Sequence, residues 1–291
     1  MKLRARLLPL LALLFLAACQ SGGAKPDVPS LALAESRAQS DPRYAGIVVD
    51  VGSGEILYAE NADSRRHPAS LAKMMTLYLL FEEVRAGKLA LDTPLKVSAA
   101  AQRMPASKLG LRRGETIKVR DAILALCVRS ANDVAVVVAE AIAGSEGAFV
   151  RRMNAKARAL GLSATTFRNA TGLPDNRQIT SARDMALLAR RLQVDFPERY
   201  GYFGTRGFTW KGRKLESTNQ LLGEIAGVDG MKTGYIRASG YNLVASARRG
   251  DKRIIVVVMG EKSGSARNGH VAALIDEYLP SGRLGGFLAA R

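Results

Sequence analysis

The sequence predicts an α+β domain in which helices flank one antiparallel sheet and a helical insertion separates its strands. Three observations support this fold class. Segments rich in β-forming residues lie near both ends of the chain, at residues 47–58 and 228–259, and contain glycine-rich turns. Apolar helical patterns cover residues 69–86 and much of 119–160 between them. The two groups of strands form a single core if they pair in one sheet.

A hairpin and a buried helix are the first predicted elements. Strands over Ile47–Val51 and Glu55–Tyr58 flank Gly52–Gly54, which is typical of a short hairpin turn. Pro68 suits the start of a helix, because proline has no N–H group to leave unpaired there. The residues that follow, to Leu80, are apolar enough for the helix to be buried.

Ser70 and Lys73 form the first candidate reactive pair, since residues three apart share a helix face. A serine hydroxyl becomes a good nucleophile only when a nearby base takes its proton. A free lysine has a pKa of about 10.4, so Lys73 can be that base only if burial or a second cation disfavours its charged form. Lys232 is a candidate for that cation. The alternative is that Ser70 and Lys73 only form a polar edge on a core helix and take part in no reaction.

A histidine base is the competing possibility for the activation of Ser70. The chain has two histidines, His67 and His270. A Ser-His-Asp arrangement needs a histidine braced by a carboxylate, and His67 has no acidic neighbour in the sequence. A carboxylate distant in the sequence could still complete such a triad, so this alternative stays open behind Lys73.

Ser130 and Asn132 stand between two apolar runs, residues 121–128 and 134–139, which are predicted to be buried helices. Polar side chains in such a position need partners. As an isolated tripeptide the segment would be a helix cap or a connection. Cys127, just before it, is expected to pack as a small hydrophobic residue.

Lys232, Thr233 and Gly234 end a predicted strand at the start of the C-terminal β-rich part. The next strands, Tyr241–Ala247 and Arg253–Met259, are joined through a Gly-Asp turn into an antiparallel hairpin. A strand that ends in glycine lets a substrate backbone approach closely, and the lysine and threonine offer donors to a carboxylate. For the lysine alone, the alternative is a charged edge that discourages aggregation.

The composition narrows the possible functions. The 291 residues carry a formal net charge of +17 and are 47% hydrophobic, enough for one large domain or two modest ones. The basic residues are scattered, with no basic helix or aromatic-stacking motif, so we expect no nucleic-acid partner. An anionic cell wall or membrane surface explains the charge equally well. The two cysteines and two histidines lie in separate segments without zinc-binding spacing, and we expect no metal or other cofactor.

Residues 1–18 have the pattern of a signal peptide. Three basic residues precede the apolar run Leu7–Leu16, which is too short to span a membrane. The sequence Leu16-Ala17-Ala18-Cys19 resembles a bacterial lipobox, which predicts cleavage before Cys19 and lipid attachment there. Cleavage by an ordinary signal peptidase is the alternative.

The predicted location is the periplasm or another part of the cell envelope, with a membrane anchor at Cys19. The rest of the chain is expected to divide into a lipidated flexible tether, one folded domain and a short C-terminal tail, at residues 19–32, 33–280 and 281–291.

Ser70-Leu71-Ala72-Lys73, Ser130-Ala131-Asn132 and Lys232-Thr233-Gly234 together resemble the three motifs of serine-type D-alanyl-D-alanine carboxypeptidases, the low-molecular-weight penicillin-binding proteins. The resemblance covers roughly residues 33–280. It includes Gly240–Ala247, whose sequence is close to the one usual in the family. It implies a transpeptidase-like fold of the β-lactamase and penicillin-binding-protein type.

The resemblance also implies an acyl-enzyme cycle on peptidoglycan stem peptides, with β-lactams as covalent inhibitors. Ser70 would be the nucleophile and Lys73 its base, Ser130 would relay a proton to the leaving amine, and Asn132 would hold Lys73 and the substrate amide. The implied substrate-binding residues are Lys232, Thr233, Gly234, Tyr235 and Arg267.

Two of these positions carry specific expectations. The backbone N–H groups of Ser70 and Tyr235 would form the oxyanion hole. Arg267 aligns with a family arginine that helps to hold the terminal carboxylate. It lies in Gly264–Arg267, which we expect to be a loop before a closing helix over 268–278.

The chain departs from the family pattern at two places. Some members have an arginine in the segment that corresponds to Glu216–Gln220, and none is present here. Tyr235 stands where histidine or threonine is common. Because the oxyanion hole uses only the backbone of this residue, we expect the chemistry to survive while the rim of the site changes.

Three alternatives to a carboxypeptidase are a D,D-endopeptidase or transpeptidase with the same motifs, a β-lactamase, and a cell-wall-binding lipoprotein with a dead site. The motifs alone do not distinguish a carboxypeptidase from the first alternative, because both kinds of enzyme form the same acyl-enzyme. A β-lactamase normally has a Glu-x-x-Leu-Asn loop, which is missing between Asn132 and Lys232. A dead site would lack the nucleophile or its base, and both are present.

Overall fold

Five antiparallel strands form the central sheet of this computed structural model, which describes residues 43–280. Their spatial order is β2-β1-β9-β8-β7. The strands are β1 (Ala45–Asp50), β2 (Ile56–Glu60), β7 (Val228–Ile236), β8 (Gly240–Arg249) and β9 (Lys252–Glu261). Ile47 of β1 lies opposite Val257 of β9, so the N-terminal hairpin joins the C-terminal strands in one sheet, as predicted.

The segment between the two groups of strands supplies most of the helices. They are α1 (Lys73–Arg85), α2 (Ala99–Gln102), α3 (Val119–Leu124), α4 (Asn132–Ala143), α5 (Glu146–Ala159), α6 (Ala182–Asp195) and α7 (Pro197–Tyr200). Two short ribbons, β3 (Pro94–Lys96) with β4 (Thr116–Lys118) and β5 (Gly207–Trp210) with β6 (Arg213–Glu216), were not predicted. Such strands of three or four residues are too short to show a clear alternating pattern.

The sheet separates two hydrophobic cores, because successive side chains of a strand point to opposite faces. Ile47 packs in the larger core with α1, α4 and α6, and its neighbour Val48 packs in the smaller core on the other face. The closing helix α8 (Gly264–Tyr278) covers that second face through Val271, Leu274 and Ile275. The layered α+β architecture that the sequence predicts is therefore confirmed.

The predicted loop at Gly264–Arg267 is wrong, since these residues form the first turn of α8. Ser263 caps the helix, because its hydroxyl accepts a hydrogen bond from the Ala266 N–H group at 3.0 Å. Two glycines, at 264 and 269, weaken the helical pattern in this part of the sequence. As a result Arg267 is held on a helix and not on a loop.

Among residues 43–280, no helix is both long enough and apolar enough to cross a membrane. The predicted signal peptide, Cys19, the tether and the C-terminal tail all lie outside the described residues.

Candidate active site

A cleft of about 300 Å³ lies where the sheet edge β7 meets the helical segment. Seven of the predicted site residues line it: Ser70, Ser130, Asn132, Thr233, Gly234, Tyr235 and Arg267. The other two, Lys73 and Lys232, are buried beside it, with exposed fractions of 0% and 1%. The structure thus brings together all the site residues that the sequence predicts within the described part of the chain.

Ser70 lies on a 3-10 turn, Ala69–Ala72, directly before α1. The sequence predicted one continuous helix here, and the tighter turn places Ser70 at the start of the helical segment with its side chain on the cleft. Lys73 begins α1, and its Nζ atom lies 3.1 Å from the Ser70 Oγ atom.

The Lys73 amine has three partners. Besides Ser70 Oγ, its Nζ atom donates to Asn132 Oδ1 at 2.8 Å and to the Thr171 carbonyl oxygen at 2.5 Å. The two carbonyl oxygens can only accept hydrogen bonds, whereas the serine hydroxyl can also donate. The charged amine can donate to all three oxygens, whereas the neutral amine can keep N–H groups on the two carbonyls and accept the hydroxyl proton of Ser70 with its lone pair.

The environment of Lys73 favours this neutral form. Burial is the main cause that lowers the pKa of Lys73 well below its ordinary value, and the nearby charge of Lys232 lowers it further. The Asp133 carboxylate partly opposes both effects. An amine with a lowered pKa can accept a proton near neutral pH.

Lys232 is itself buried on β7, where its Nζ atom donates to the Thr233 carbonyl at 2.9 Å. Burial lowers the pKa of Lys232 to about 8, and the positive charge of Arg267 adds to this shift. Cys127 is 5% exposed and packs in the larger core, and burial raises its pKa to about 12. Its neutral thiol is therefore a packing group beside the site.

Ser130 follows a short π-helical turn, Ala125–Arg129, and has left-handed backbone angles with φ of +56°. Its Oγ atom is buried and has no hydrogen-bond partner among the described residues. A buried hydroxyl without a partner is costly. Because this one lines the cleft, a bound group can supply the missing hydrogen bond.

Asn132 is fixed at both ends of its amide. Oδ1 accepts from Lys73, and Nδ2 donates to the Pro105 carbonyl at 3.1 Å. The orientation of the amide is therefore set by the Pro105 carbonyl, which can only accept and so requires the NH₂ group on its side. Pro105 belongs to a loop whose role the sequence analysis missed.

The edge strand β7 packs directly on the turn that carries the nucleophile. A Cβ atom added to Gly234 would lie 3.1 Å from the Pro68 carbonyl oxygen and 3.2 Å from the Ser70 nitrogen. This glycine thus allows β7 to approach the protein's own backbone, in addition to any substrate. The strand continues to Ile236, two residues past its predicted end.

Thr233 and Arg267 mark one end of the cleft. The Thr233 hydroxyl donates to the Thr218 hydroxyl at 2.8 Å. Thr218 belongs to the segment in which some family members have an arginine. Arg267 is 6% exposed and lines the cleft from α8. Burial lowers its pKa to about 10, so the guanidinium stays charged at neutral pH.

Tyr235 forms the rim of the cleft. Its side chain is 53% exposed, and its ring packs against Tyr241, its direct neighbour on β8, with 4.3 Å between the ring centroids and a tilt of 33° between the rings.

The loop at Asn169–Leu173 supplies a group that the sequence analysis did not identify, the Thr171 carbonyl. Asn169 Oδ1 holds this loop by accepting from the N–H groups of Thr171 at 3.2 Å and Gly172 at 2.7 Å. An asparagine that bonds to the backbone two and three residues later is a recognisable turn signal. The atom that contacts Lys73 is a backbone oxygen, however, and no residue type identifies it.

Replacing Gly172 with alanine is expected to disrupt the site, because the new Cβ would lie only 1.9 Å from the Ala69 carbonyl oxygen and 2.9 Å from the Ser70 nitrogen. Gly172 also has a φ of +82°, which alanine adopts at a cost. We expect a loss of about 2 to 4 kcal/mol in the free energy of unfolding and about a 10- to 100-fold slower acylation by penicillin. Urea denaturation and stopped-flow labelling would measure the two effects.

Gly87→Ala is the matched control for this prediction. Gly87 has a φ of +70°, but no atom lies within 4 Å of its added Cβ. This variant should lose only about 1 kcal/mol and react with penicillin normally. Equal behaviour of the two variants would show that the contact between Gly172 and the Ser70 turn has no importance.

Neither histidine lines the cleft. The His67 Nδ1 atom lies 2.9 Å from the Gln178 carbonyl oxygen, and His270 pairs with Glu261 at 2.9 Å. His270 is on α8, in contact with Tyr44. The histidine triad that the sequence left open is not formed. Within residues 43–280, no group of three His, Cys, Asp or Glu side chains is placed to hold a metal ion.

The arrangement around Ser70, a serine hydroxyl beside a buried lysine amine, is typical of serine acyltransferases that use a lysine base. Residues 34–263 match the family model described as D-alanyl-D-alanine carboxypeptidase. The chain belongs to this family, as the sequence motifs predicted.

Two curated relatives show how far the similarity extends. The chain is 37% identical to D-alanyl-D-alanine carboxypeptidase DacF of Bacillus subtilis over 237 residues, which are 80% of this chain and 61% of the relative. It is 40% identical to DacC of Escherichia coli over 230 residues, 77% of this chain and 58% of the relative. The chain therefore matches about 60% of the length of these relatives.

Solved structures share the fold. Penicillin-binding protein 5 from Haemophilus influenzae aligns with a TM-score of 0.78 and 37% identity over 80% of this chain and 69% of that chain. Penicillin-binding protein D2 from Listeria monocytogenes, in its ampicillin-bound form, aligns with a TM-score of 0.73 and 36% identity, over 80% and 95% of the two chains. The predicted penicillin-binding-protein fold is thus confirmed.

Proposed function

We propose that this protein is a serine D,D-carboxypeptidase that removes the terminal D-alanine from peptidoglycan stem pentapeptides through an acyl-enzyme on Ser70. The observation that carries the proposal is the buried Lys73 amine, which lies 3.1 Å from Ser70 Oγ and whose lowered pKa lets it accept the hydroxyl proton. Membership of the D-alanyl-D-alanine carboxypeptidase family supports the substrate class.

In the acylation step, Ser70 Oγ attacks the carbonyl carbon of the penultimate D-alanine while its proton passes to Lys73. The backbone N–H groups of Ser70 and Tyr235 stabilise the negative charge that develops on the carbonyl oxygen. The C–N bond then breaks. Ser130, whose hydroxyl has no partner among the described residues, passes its proton to the nitrogen of the departing D-alanine and receives in return the proton that Lys73 took from Ser70, so that Lys73 is neutral again.

In the deacylation step, water attacks the ester carbon and Lys73 takes the proton of the water. The bond between the ester carbon and Ser70 Oγ breaks, Ser70 regains a proton, and the shortened stem peptide leaves. The same base thus acts in both halves of the cycle.

The terminal carboxylate of the substrate binds at the end of the cleft that Thr233 and Arg267 form. Lys232, which is buried and acts electrostatically with Arg267, adds positive charge nearby. Asn132 has one amide N–H group on the Pro105 carbonyl, which leaves the other for the substrate amide. β-Lactams present a carboxylate and a strained amide to the same groups. The relative from Listeria is known in ampicillin-bound and cefotaxime-bound forms, which supports their role as covalent inhibitors here.

Mass spectrometry of the products tests this function. The purified protein is incubated with a disaccharide pentapeptide, and a sample treated first with ampicillin is the control. We expect the loss of one D-alanine only in the untreated sample. An unchanged pentapeptide would contradict the proposal. Cleavage of cross-linked dimers would then indicate an endopeptidase, and rapid turnover of penicillin a β-lactamase.

We further propose that lipid on Cys19 anchors the enzyme in the cell envelope, with residues 33–280 as the catalytic domain. The lipobox-like sequence before Cys19 supports the anchor, and each buried acyl CH₂ group contributes about 0.8 kcal/mol to membrane binding. Metabolic labelling with a fatty acid should mark the protein but not its Cys19→Ser variant. An unlabelled protein, or label that persists in the variant, would refute lipidation.

A further inference from the structure

Asp133, the second residue of α4, is fully buried and accepts hydrogen bonds from four backbone N–H groups. Oδ1 accepts from Leu109 at 3.1 Å and Val134 at 2.9 Å, and Oδ2 accepts from Gly110 at 2.9 Å and Leu111 at 3.1 Å. A buried carboxylate is tolerated when donors surround it in this way. Three consecutive residues of one loop are thus tied to a single side chain.

This loop is part of the active-site wall. Ala106 and Ser107 line the cleft together with Ser70. The Ser107 carbonyl accepts from the Asn132 N–H group at 2.7 Å, and the Pro105 carbonyl accepts from the Asn132 side chain. The position of the loop therefore determines how the Asn132 amide is held.

The arrangement extends to the base. Asn132 Oδ1 is one of the two carbonyl acceptors of the Lys73 amine. A chain of direct contacts thus runs from Asp133 through the loop to Asn132 and on to Lys73. Asp133 itself touches neither the nucleophile nor the space in which a substrate would bind.

We propose that Asp133 is a positioning residue, whose carboxylate fixes the loop Pro105–Leu111 and thereby the catalytic arrangement of Asn132 and Lys73. This inference rests on the proposed function, because it assigns Asp133 a part in acylation of Ser70.

The charge of Asp133 gives a readout that a purely structural role would lack. The charged groups that act on Lys73 are Lys232 on β7 and Asp133 on α4, while Cys127 and Arg267 act on Lys232. Asp133 raises the pKa of Lys73, against burial and Lys232. Removal of its negative charge should therefore lower the pKa of Lys73, so that the base form persists to lower pH.

The test is Asp133→Asn, with Asp184→Asn as the matched control. The asparagine keeps the shape of the side chain. Its NH₂ group, however, would face backbone N–H groups that donate to a carboxylate oxygen in the wild type, and it cannot accept their hydrogen bonds. Asp184 is also buried near a helix start and holds a loop, since it accepts from the Ala164 N–H group at 2.9 Å and the Thr165 hydroxyl at 2.6 Å. Asp184 does not line the cleft.

The rate of acylation by a fluorescent penicillin is measured against pH for the wild type and both variants. We expect Asp133→Asn to acylate about 10- to 100-fold more slowly at the plateau, with the acid limb shifted to lower pH. Asp184→Asn should lose stability but keep the wild-type profile. An Asp133→Asn profile that does not move, or that moves upward, would overturn the inference.

Two further results distinguish a failure of this inference from a failure of the proposed function. If wild-type protein is not labelled on Ser70, the proposed function fails. If it is labelled but Asp133→Asn behaves like Asp184→Asn, only the role of Asp133 fails. Should Asp133→Asn not fold, hydrogen exchange of the wild type decides: the amides of Leu109, Gly110 and Leu111 should exchange slowly, and rapid exchange would refute the proposed clamp.

Discussion

Replacement of Ser70 by alanine is expected to abolish covalent labelling by penicillin, with a rate loss of more than about 10³-fold, while the protein stays folded. The hydroxyl is the only group that the proposed reaction acylates. Its loss leaves Lys73 with its two carbonyl acceptors, so the free energy of unfolding should change by no more than about 1 kcal/mol. Gel fluorescence after labelling and thermal denaturation measure the two quantities.

Ser130→Ala is the matched control for Ser70→Ala. It also removes one hydroxyl from the cleft, but a hydroxyl without a hydrogen-bond partner among the described residues. We expect slower labelling on Ser70 and a small gain in stability, because a buried unpaired group is removed. If Ser70→Ala is still labelled, another residue carries the acyl group and the assignment of the nucleophile is wrong.

Replacement of Lys73 by arginine is expected to reduce acylation by more than about 10³-fold, although the positive charge is kept. An arginine has a pKa above about 12 and cannot act as a base near neutral pH. In the wild type, burial lowers the pKa of Lys73, so the acylation rate should rise with pH as the amine loses its proton and then level off. Stopped-flow measurement of labelling from about pH 5 to pH 10 gives this profile.

His67→Ala tests the competing base in the same experiment. His67 lies three residues before Ser70 in the sequence, but its Nδ1 atom is next to the Gln178 carbonyl. This variant should keep most of the activity and the same dependence on pH. Retained activity in Lys73→Arg together with loss in His67→Ala would reverse the assignment of the base.

Much of the site was predictable because its reactive groups are polar or charged side chains next to apolar segments, where such side chains are unusual. Lys73 and Asn132 stand beside buried runs, where a polar residue needs a reason to be present. The sheet was predictable for a similar reason, since its strands alternate or are uniformly apolar and are separated by glycine turns.

The parts that were not predicted depend on geometry rather than on residue type. The Thr171 carbonyl contacts Lys73 through a backbone oxygen, which every residue has. Asp133 was not identified because three of its four partners are the N–H groups of a loop more than twenty residues earlier in the chain. The first helical turn of α8, which carries Arg267, was missed because the capping effect of Ser263 outweighs two unfavourable glycines.

The pairing of β1 with β9 has a consequence for the order of events during synthesis. Ser70 and Lys73 are made early, but β7 and the partner strand of β1 follow only near residues 228–261. Contacts between such distant parts of a chain form late in folding and slowly. A growing chain that already contains Ser70 should thus be unreactive, because the cleft forms only when the last strands pack against the rest of the domain.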